Sequence, residues 1–483
     1  MDRLRPSSRS QELAILLLLS IGAFLIHGYH PGVEDAEIYL PGIEKMLHPG
    51  LFPLNTQFFA SHAQLTLFPN LIAVSARVTH LPLDGILLVF EFGSIFLLLL
   101  ACWKLSCECF DSSRARWCGV ALVASLLTLP VAGTALYILD QYTNPRNLAA
   151  FAAIFAVAGT LRKKYAATCL WLAFATLMHP LMSVFALSFC GLLVWMRNPS
   201  PGIVAALPFG ILFTRPSAAY QQAAPGYFYI LNWQWYEWIG IVAPIALLWW
   251  FRSLGRSKKL GNLELICSSL IIYDLVYFAG ALIFTIPARF ESVARLQPLR
   301  SLHLLYILLF LIVGGMLGEY VLQNRMSRWA ALFLPLCLGM FVAQHALFPA
   351  SPHIEWSLSN QQNDWSRAFV WIRRNTPPDA FFALDPLLMR IPGEDTHGFR
   401  AIAQRSMLAD ATKDAGAVSM FPELAYDWQT QVESARGWKH FQLQDFKRLQ
   451  YQYGVGWIVL QQPGVPGLSC PYSNKEVVVC QLD

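Results

Sequence analysis

HPGVEDAEIYLPGIEKMLHPGLFP, residues 30–53, follows directly on the first apolar run of the chain and sets Glu34, Asp35 and Glu37 within four residues. Pro31 and Gly32 turn the chain just before these acids, and a helix-like run, 36–47, begins just after them. Carboxylates at a helix start are stabilised by its free N–H groups and dipole, so one reading is a solvated helix N-terminus. The other is a carboxylate acting as base where a membrane protein meets water. The rest of the chain has to decide between them.

Of the 483 residues, 55% are hydrophobic and 13% charged, and the mean hydropathy is +0.44. That is too apolar for an ordinary soluble protein and implies a multi-pass membrane chain. The net charge of +5 is unevenly shared: residues before 348 carry 23 basic and 16 acidic side chains, the remainder 12 and 14. The basic excess belongs to the apolar part, where it reports orientation and gives no basic soluble surface for nucleic acid. Arg3, Arg5 and Arg9 precede the run 13–26 without a small-x-small cleavage site, which reads as an uncleaved first span.

A crossing helix needs roughly twenty apolar residues. Runs at 13–27, 85–103, 117–137, 148–161, 165–178, 181–196, 203–213, 238–251, 263–286, 302–322 and 329–347 give about eleven spans, several short. The apolar segment 65–78 is the difficult one, with Pro69, Asn70, Ser75 and Arg77 inside it. If it stays on the outer side, 16 of the 23 basic residues fall inside; if it crosses, only nine do, against the usual bias. It is therefore expected to be an interfacial or re-entrant helix within a long acidic outer loop, 30–84.

Other outer segments carry candidate chemistry. LDQYTNPRN, 139–147, has Asp140 at its start and Arg146 at its end, and snorkelling toward headgroups is the favoured reading of a lone arginine at a helix end. His179 stands at a turn, where a structural role is the commoner one. The stretch 214–238 holds Tyr220, Tyr227, Phe228, Tyr229, Trp233, Trp235, Tyr236 and Trp238; an interfacial belt is the favoured reading for most of these rings, with stacking on a sugar or gripping a polyprenyl chain as the alternatives for some. PARFESVARLQPLRSLH, 287–303, puts Arg289, Arg295, Arg300 and His303 outside, against the positive-inside bias. The guanidinium fork suits phosphate oxygens, and pairing with acids of the first loop is the competing use.

From 348 the composition becomes that of a small soluble α/β domain, 348–483. Helices are expected at 364–374, 423–438 and 444–453 and strands at 381–384, 457–460 and 477–480. The amphipathic 364–374 helix turns Trp365, Phe369 and Ile372 to one side. Cys470 and Cys480 flank a Ser473-Asn474 turn, and an outer compartment would permit their disulfide. No Gly-rich phosphate loop, HExxH or GxSxG motif occurs.

With EDAEIYLPGIEKMLHPGLFP after the first span, LDQYTNPRN, RFESVARLQPLRSLH before a late span, and WIRRNTPPDA opening the tail, the chain resembles the GT-C membrane glycosyltransferase superfamily. It looks nearer to bacterial multi-pass members than to any enzyme of known substrate. The resemblance implies an α-helical polytopic fold with a small exoplasmic C-terminal domain and transfer of a sugar, with inversion, from a polyprenyl-phosphate donor to a glycan, lipid or protein acceptor. It also implies a bacterial inner membrane location, with a cytoplasmic N-terminus and a periplasmic tail.

Carried over by position, it makes Asp35 the first choice of general base and Glu34 the second, and gives acceptor or metal support to Glu37 and Asp140. Lipid-phosphate binding falls to Arg295, Arg300 and Arg146, with His179 and His303 as further candidates. Asp35-Ala36-Glu37 is only an analogue of the Asp-x-Asp pattern of some relatives, so a divalent cation is a possible cofactor of unknown identity. Shared architecture does not establish chemistry, and a non-catalytic role in transport or assembly of lipid-linked glycans is the alternative.

Overall fold

The computed structural model describes residues 9–198, 217–224, 226–285, 294 and 296–482. The span expected at 203–213 and the residues Arg289 and Arg295 lie outside them. Among the described residues, seven helices are long and apolar enough to cross a membrane: Arg9–His27, Leu83–Cys109, Pro180–Arg197, Trp235–Ser257, Gly261–Thr285, Pro298–Leu322 and Met326–Leu347. Pro145–Leu161 and Tyr165–Met178 are shorter apolar helices packed beside them. The chain is an integral membrane protein.

Two apolar segments behave differently from a crossing helix. Segment 65–78 contributes the helix Phe68–Thr79, whose 12 residues rise only about 18 Å, short of the hydrocarbon thickness. The expected span 117–137 is corrected: its helix, Ser113–Ser125, has 13 residues and stops at Ser125. Beyond it the chain runs as buried loop, with Val131, Leu136 and Ile138 each 2% exposed or less. Pro130 and Gly133 interrupt the run, so its apolar character marks packing among neighbouring helices, where the backbone need not be helical.

The helix ends explain how the polar loops are held. Asn144 caps Pro145–Leu161, its side-chain oxygen accepting from the Asn147 N–H at 3.0 Å, and Pro145 occupies the first helical position, where its missing N–H costs nothing. The Asn144-Pro145 pair thus starts a helix. Ser113–Ser125 and Leu302–Leu317 approach backbone to backbone: a Cβ on Gly314 would lie 2.7 Å from the Gly119 Cα, a contact only small residues allow.

The tail carries a five-stranded sheet formed by β1 (Phe381–Ala383), β2 (Ser406–Met407), β3 (Trp457–Gln461), β4 (Ser469–Ser473) and β5 (Val477–Gln481), in the order β2-β1-β3-β5-β4. β1 is parallel to both its neighbours, and β5 is antiparallel to β3 and β4. The helix Asp364–Asn375 covers the sheet with Trp365, Phe369 and Ile372, none more than 2% exposed. The Cys470–Cys480 disulfide, spanning 10 residues, ties edge strand β4 to β5. Closing a loop of that length constrains the unfolded chain, so the double change of Cys470 and Cys480 to Ser is expected to lower unfolding stability by about 2–3 kcal/mol. Thermal unfolding under oxidising conditions, compared with wild type, checks this.

The loop and the tail are stitched together. Tyr29 pairs with Ile354 and Val33 with His397 as isolated bridges. The Glu34 N–H donates to the Thr396 carbonyl at 2.9 Å, and the Gly398 N–H to the Gly32 carbonyl at 2.8 Å. These bonds deliver tail side chains to the acidic loop.

Candidate functional site

Asp35 occupies the N-cap position of the helix Ala36–Leu47 yet makes no side-chain capping bond. Its carboxylate instead meets the Lys413 ammonium at 2.9 Å through Oδ1 and the Arg146 guanidinium at 3.7 Å through Oδ2. This observation disfavours the reading as a plain helix start. Glu34 also pairs with Lys413 and sits at φ +55°, a left-handed conformation that an ordinary side chain adopts only when the surroundings impose it. The Asp35 N–H donates to the Tyr142 hydroxyl at 3.3 Å, joining the first loop to 139–147.

Burial alone would raise the Asp35 carboxyl. Lys413, Arg146 and, further down the order, Arg300 outweigh it and hold Asp35 well below the usual carboxylate range. Burial likewise opposes the Lys413 charge, but Asp35 and Glu34 raise the ammonium well above its ordinary value. The pair is ionised throughout the neutral range. Asp35 nevertheless keeps 29% of its side chain accessible, and Glu34 43%, so both remain within reach of an incoming molecule.

Glu37 is placed differently. It is buried, accepts from the Ala401 N–H at 3.1 Å and lies 3.4 Å from Arg400, whose charge is matched by a two-pronged pair with Asp414 at 2.9 and 2.7 Å. Burial, opposed by Arg400 and reinforced by Asp410, pushes the Glu37 carboxyl up to about 8. Gly398 is glycine because a Cβ there would sit 2.4 Å from the Glu37 Oε2. Both Glu37 oxygens accept from buried donors, and Glu37→Gln would turn an amide NH2 toward one of them, so it is expected to lower unfolding stability by about 1–3 kcal/mol. Chemical denaturation at pH 7 measures it.

Asp140 and Arg146 form a closed unit: Arg146 reaches Asp140 Oδ2 through Nη2 at 2.6 Å and Nε at 3.1 Å, and Asn144 donates to the same oxygen at 2.7 Å. Arg146 is thus occupied by carboxylates on both sides. His303 donates Nε2–H to the Ile138 carbonyl at 3.0 Å and borders a small, mainly apolar pocket. His179 caps Pro180–Arg197, its Nδ1 accepting from the Met182 N–H. Both histidines hold backbone.

Arg300 is the exception. Its Nε is shut off from solvent without a hydrogen-bond partner among the described residues, as is the Gln297 Oε1 beside it. Both line a small pocket with Thr134, Tyr227, Phe228 and Trp233. A buried guanidinium N–H lacking a partner is costly unless something else completes its bond. The aromatic stretch divides accordingly: Phe228 and Trp233 are buried at this pocket, whereas Trp235 and Tyr236 are 75% and 58% exposed at the start of the next helix, as an interfacial belt would be.

Behind the loop lies a second ion-paired group. Glu355 accepts from His30 Nδ1 at 3.2 Å and from His397 Nε2 at 3.0 Å, while His397 Nδ1–H donates to the Glu394 carbonyl at 2.8 Å. Against burial, His397 and His30 lower Glu355 from 4.5 to about 2. Against burial, Glu355 raises His397. The Glu355 contribution is complete above 4.5 and is lost as the pH falls toward about 2. The His397 contribution is complete below 6.5 and is lost as the pH rises through its raised value. Stability from this group is therefore expected to peak between those limits, and Glu355→Gln to flatten both flanks. A melting-temperature profile against pH shows it.

Hard cations take several oxygen ligands. Here the Asp35 and Glu34 oxygens face an ammonium, Asp140 faces a guanidinium, and no set of three or more His, Cys, Asp or Glu side chains among the described residues is arranged to hold a metal. The donor set does not fit a divalent cation.

Neither a family model nor a curated protein matches the chain. Among solved structures it is similar to the apo oligosaccharyltransferase of Archaeoglobus fulgidus, with 12% identity over 94% of this chain and 70% of that one and a TM-score of 0.46. It is also similar to the oligosaccharyltransferase AglB of the same archaeon in complex with an inhibitory peptide and a dolichol-phosphate, with 12% identity, 93% and 69% coverage and a TM-score of 0.48. The similarity is one of overall arrangement. Every residue role argued below rests on the geometry of this chain.

Proposed function

We propose that the chain is an integral membrane glycosyltransferase that moves a sugar from a polyprenyl-phosphate donor to an acceptor at the outer face of a bacterial inner membrane, inverting the anomeric centre. The observation that carries this reading is an accessible carboxylate, Asp35, diverted from capping its helix and held ionised. Near it lies Arg300, whose Nε is shut off from solvent and has no hydrogen-bond partner among the described residues, at the edge of a small pocket.

In the reaction, the acceptor's O–H or N–H hydrogen-bonds to Asp35. As the bond from the acceptor atom to the anomeric carbon forms, the bond from that carbon to the lipid-phosphate oxygen breaks, and its electron pair leaves with the phosphate. Lowered basicity makes Asp35 a late proton acceptor, taking the proton only as the nucleophile loses its electrons. Arg300 receives the departing phosphate, supplying a donor fork where negative charge grows. Glu34 flanks the acceptor, Arg146 and Asp140 fix the far side of Asp35, and Glu37 holds the loop against the tail. The Tyr227 and Trp233 rings beside Arg300 offer a face to the donor sugar.

The test is a panel of polyprenyl-phosphate sugars, labelled in the sugar and offered to the purified chain in lipid nanodiscs. Release of polyprenyl phosphate from one of them supports the reading. Tight donor binding without release from any of them refutes it in favour of a carrier or assembly role.

A further inference from the structure

Lys413 begins the helix Lys413–Met420 in the tail, yet its ammonium lies between the two acids of the first loop, Glu34 and Asp35, 379 and 378 residues away in sequence. Its placement is fixed from behind. Asp410 Oδ1 accepts the Thr412 and Lys413 N–H groups, each at 2.6 Å, and the Asp410 N–H donates to Asp414 at 2.9 Å. Asp414 in turn clamps Arg400, which touches Glu37 on the loop helix. Lys413 is only 12% exposed, less than either acid it contacts. It enters from the buried side and leaves the outer faces of Glu34 and Asp35 open.

We propose that Lys413 is the resident cation of this site, a positioning residue whose ammonium aims and neutralises the Glu34/Asp35 pair and excludes a divalent metal from it. A doubly charged ion sharing these oxygens would stand within a few ångströms of a fixed positive charge, with Asp140 already taken by Arg146. Removing the ammonium leaves the Glu34 carboxylate and the Asp35 Oδ1 without a cation, Arg146 still facing the Asp35 Oδ2 at 3.7 Å, and two adjacent carboxylates so uncovered invite a hard cation. The inference deepens the transferase reading, but its test does not depend on turnover.

Mn²⁺ binding to the purified full-length chain, followed by the loss of the free-ion magnetic resonance signal, is compared for wild type, Lys413→Ala, Lys413→Gln and Lys413→Ala combined with Asp35→Asn. Wild type is expected to show no saturable site. Lys413→Ala and Lys413→Gln are expected to bind Mn²⁺ at least tenfold more tightly than wild type, and the added Asp35→Asn to remove that gain. Metal-free thermal unfolding identifies which variants are folded, and the wild-type arm decides even if both single variants are not. One Mn²⁺ bound per wild-type chain and lost in Asp35→Asn overturns the proposal, as does a folded Lys413 variant that gains no binding. Absence of sugar transfer, by contrast, would count only against the transferase reading.

Discussion

Asp35→Asn is expected to lower kcat for the proposed sugar transfer by about 10²–10⁴-fold, the usual effect of removing a positioned general base, while donor binding and thermal stability are expected to stay near wild type. The substitution keeps the shape and loses the charge and the proton acceptor. Lys413 retains Glu34 as a partner, and Asp35 is 29% exposed, so no cation is stranded in a dry interior. Glu34→Gln provides the contrast: Glu34 is 43% exposed and shares Lys413 with Asp35, so its loss should be far milder. Single-turnover transfer together with donor titration separates chemistry from binding. Equal damage to both variants, or damage to donor binding alone, would remove Asp35 from the chemistry.

Arg300→Ala is the second large effect, about 10²–10³-fold in kcat, as expected for deleting a donor aimed at developing charge. Its buried Nε has no described partner to strand, so the variant should fold. Affinity for polyprenyl phosphate, the product, should fall along with kcat. Arg300→Lys should recover only part of either, because an ammonium lacks the planar fork. Arg146 offers a check on this assignment. It is paired with Asp140 and Asp35, so its removal should show first as lost stability. An Arg300→Ala variant with normal product affinity would place the phosphate elsewhere.

Much of this architecture is legible in the sequence because apolar runs of helical length are rare in soluble chains, and seven of those read from the sequence correspond to long apolar helices. The failure at 117–137 is instructive: hydropathy reports that a segment avoids water, and Val131, Leu136 and Ile138 do so inside a loop. In the tail, β2 has two residues and β4 carries Pro471 on an exposed edge, so neither shows alternation. The helix at 364–374 was readable because its apolar face is complete.

At the site, the acids and Arg300 stand out as polar residues among apolar runs. Their partners do not. Lys413, Arg400, Asp414, Glu355 and His397 lie in a polar tail where charged residues are ordinary, and their pairing with the loop is set by tertiary closure. The direction of the Asp35 side chain was equally hidden, because an acid before a helix looks the same whether or not it caps. Only the missing capping bond and the presence of Lys413 distinguish the two.

The most direct measurement is the release of polyprenyl phosphate from a labelled sugar donor by wild type, Asp35→Asn and Arg300→Ala, assayed side by side in nanodiscs on protein of matched melting temperature. Wild type is expected to turn over and both variants to lose at least about 10²-fold, with donor binding retained by Asp35→Asn. Equal release by wild type and Asp35→Asn would contradict this expectation.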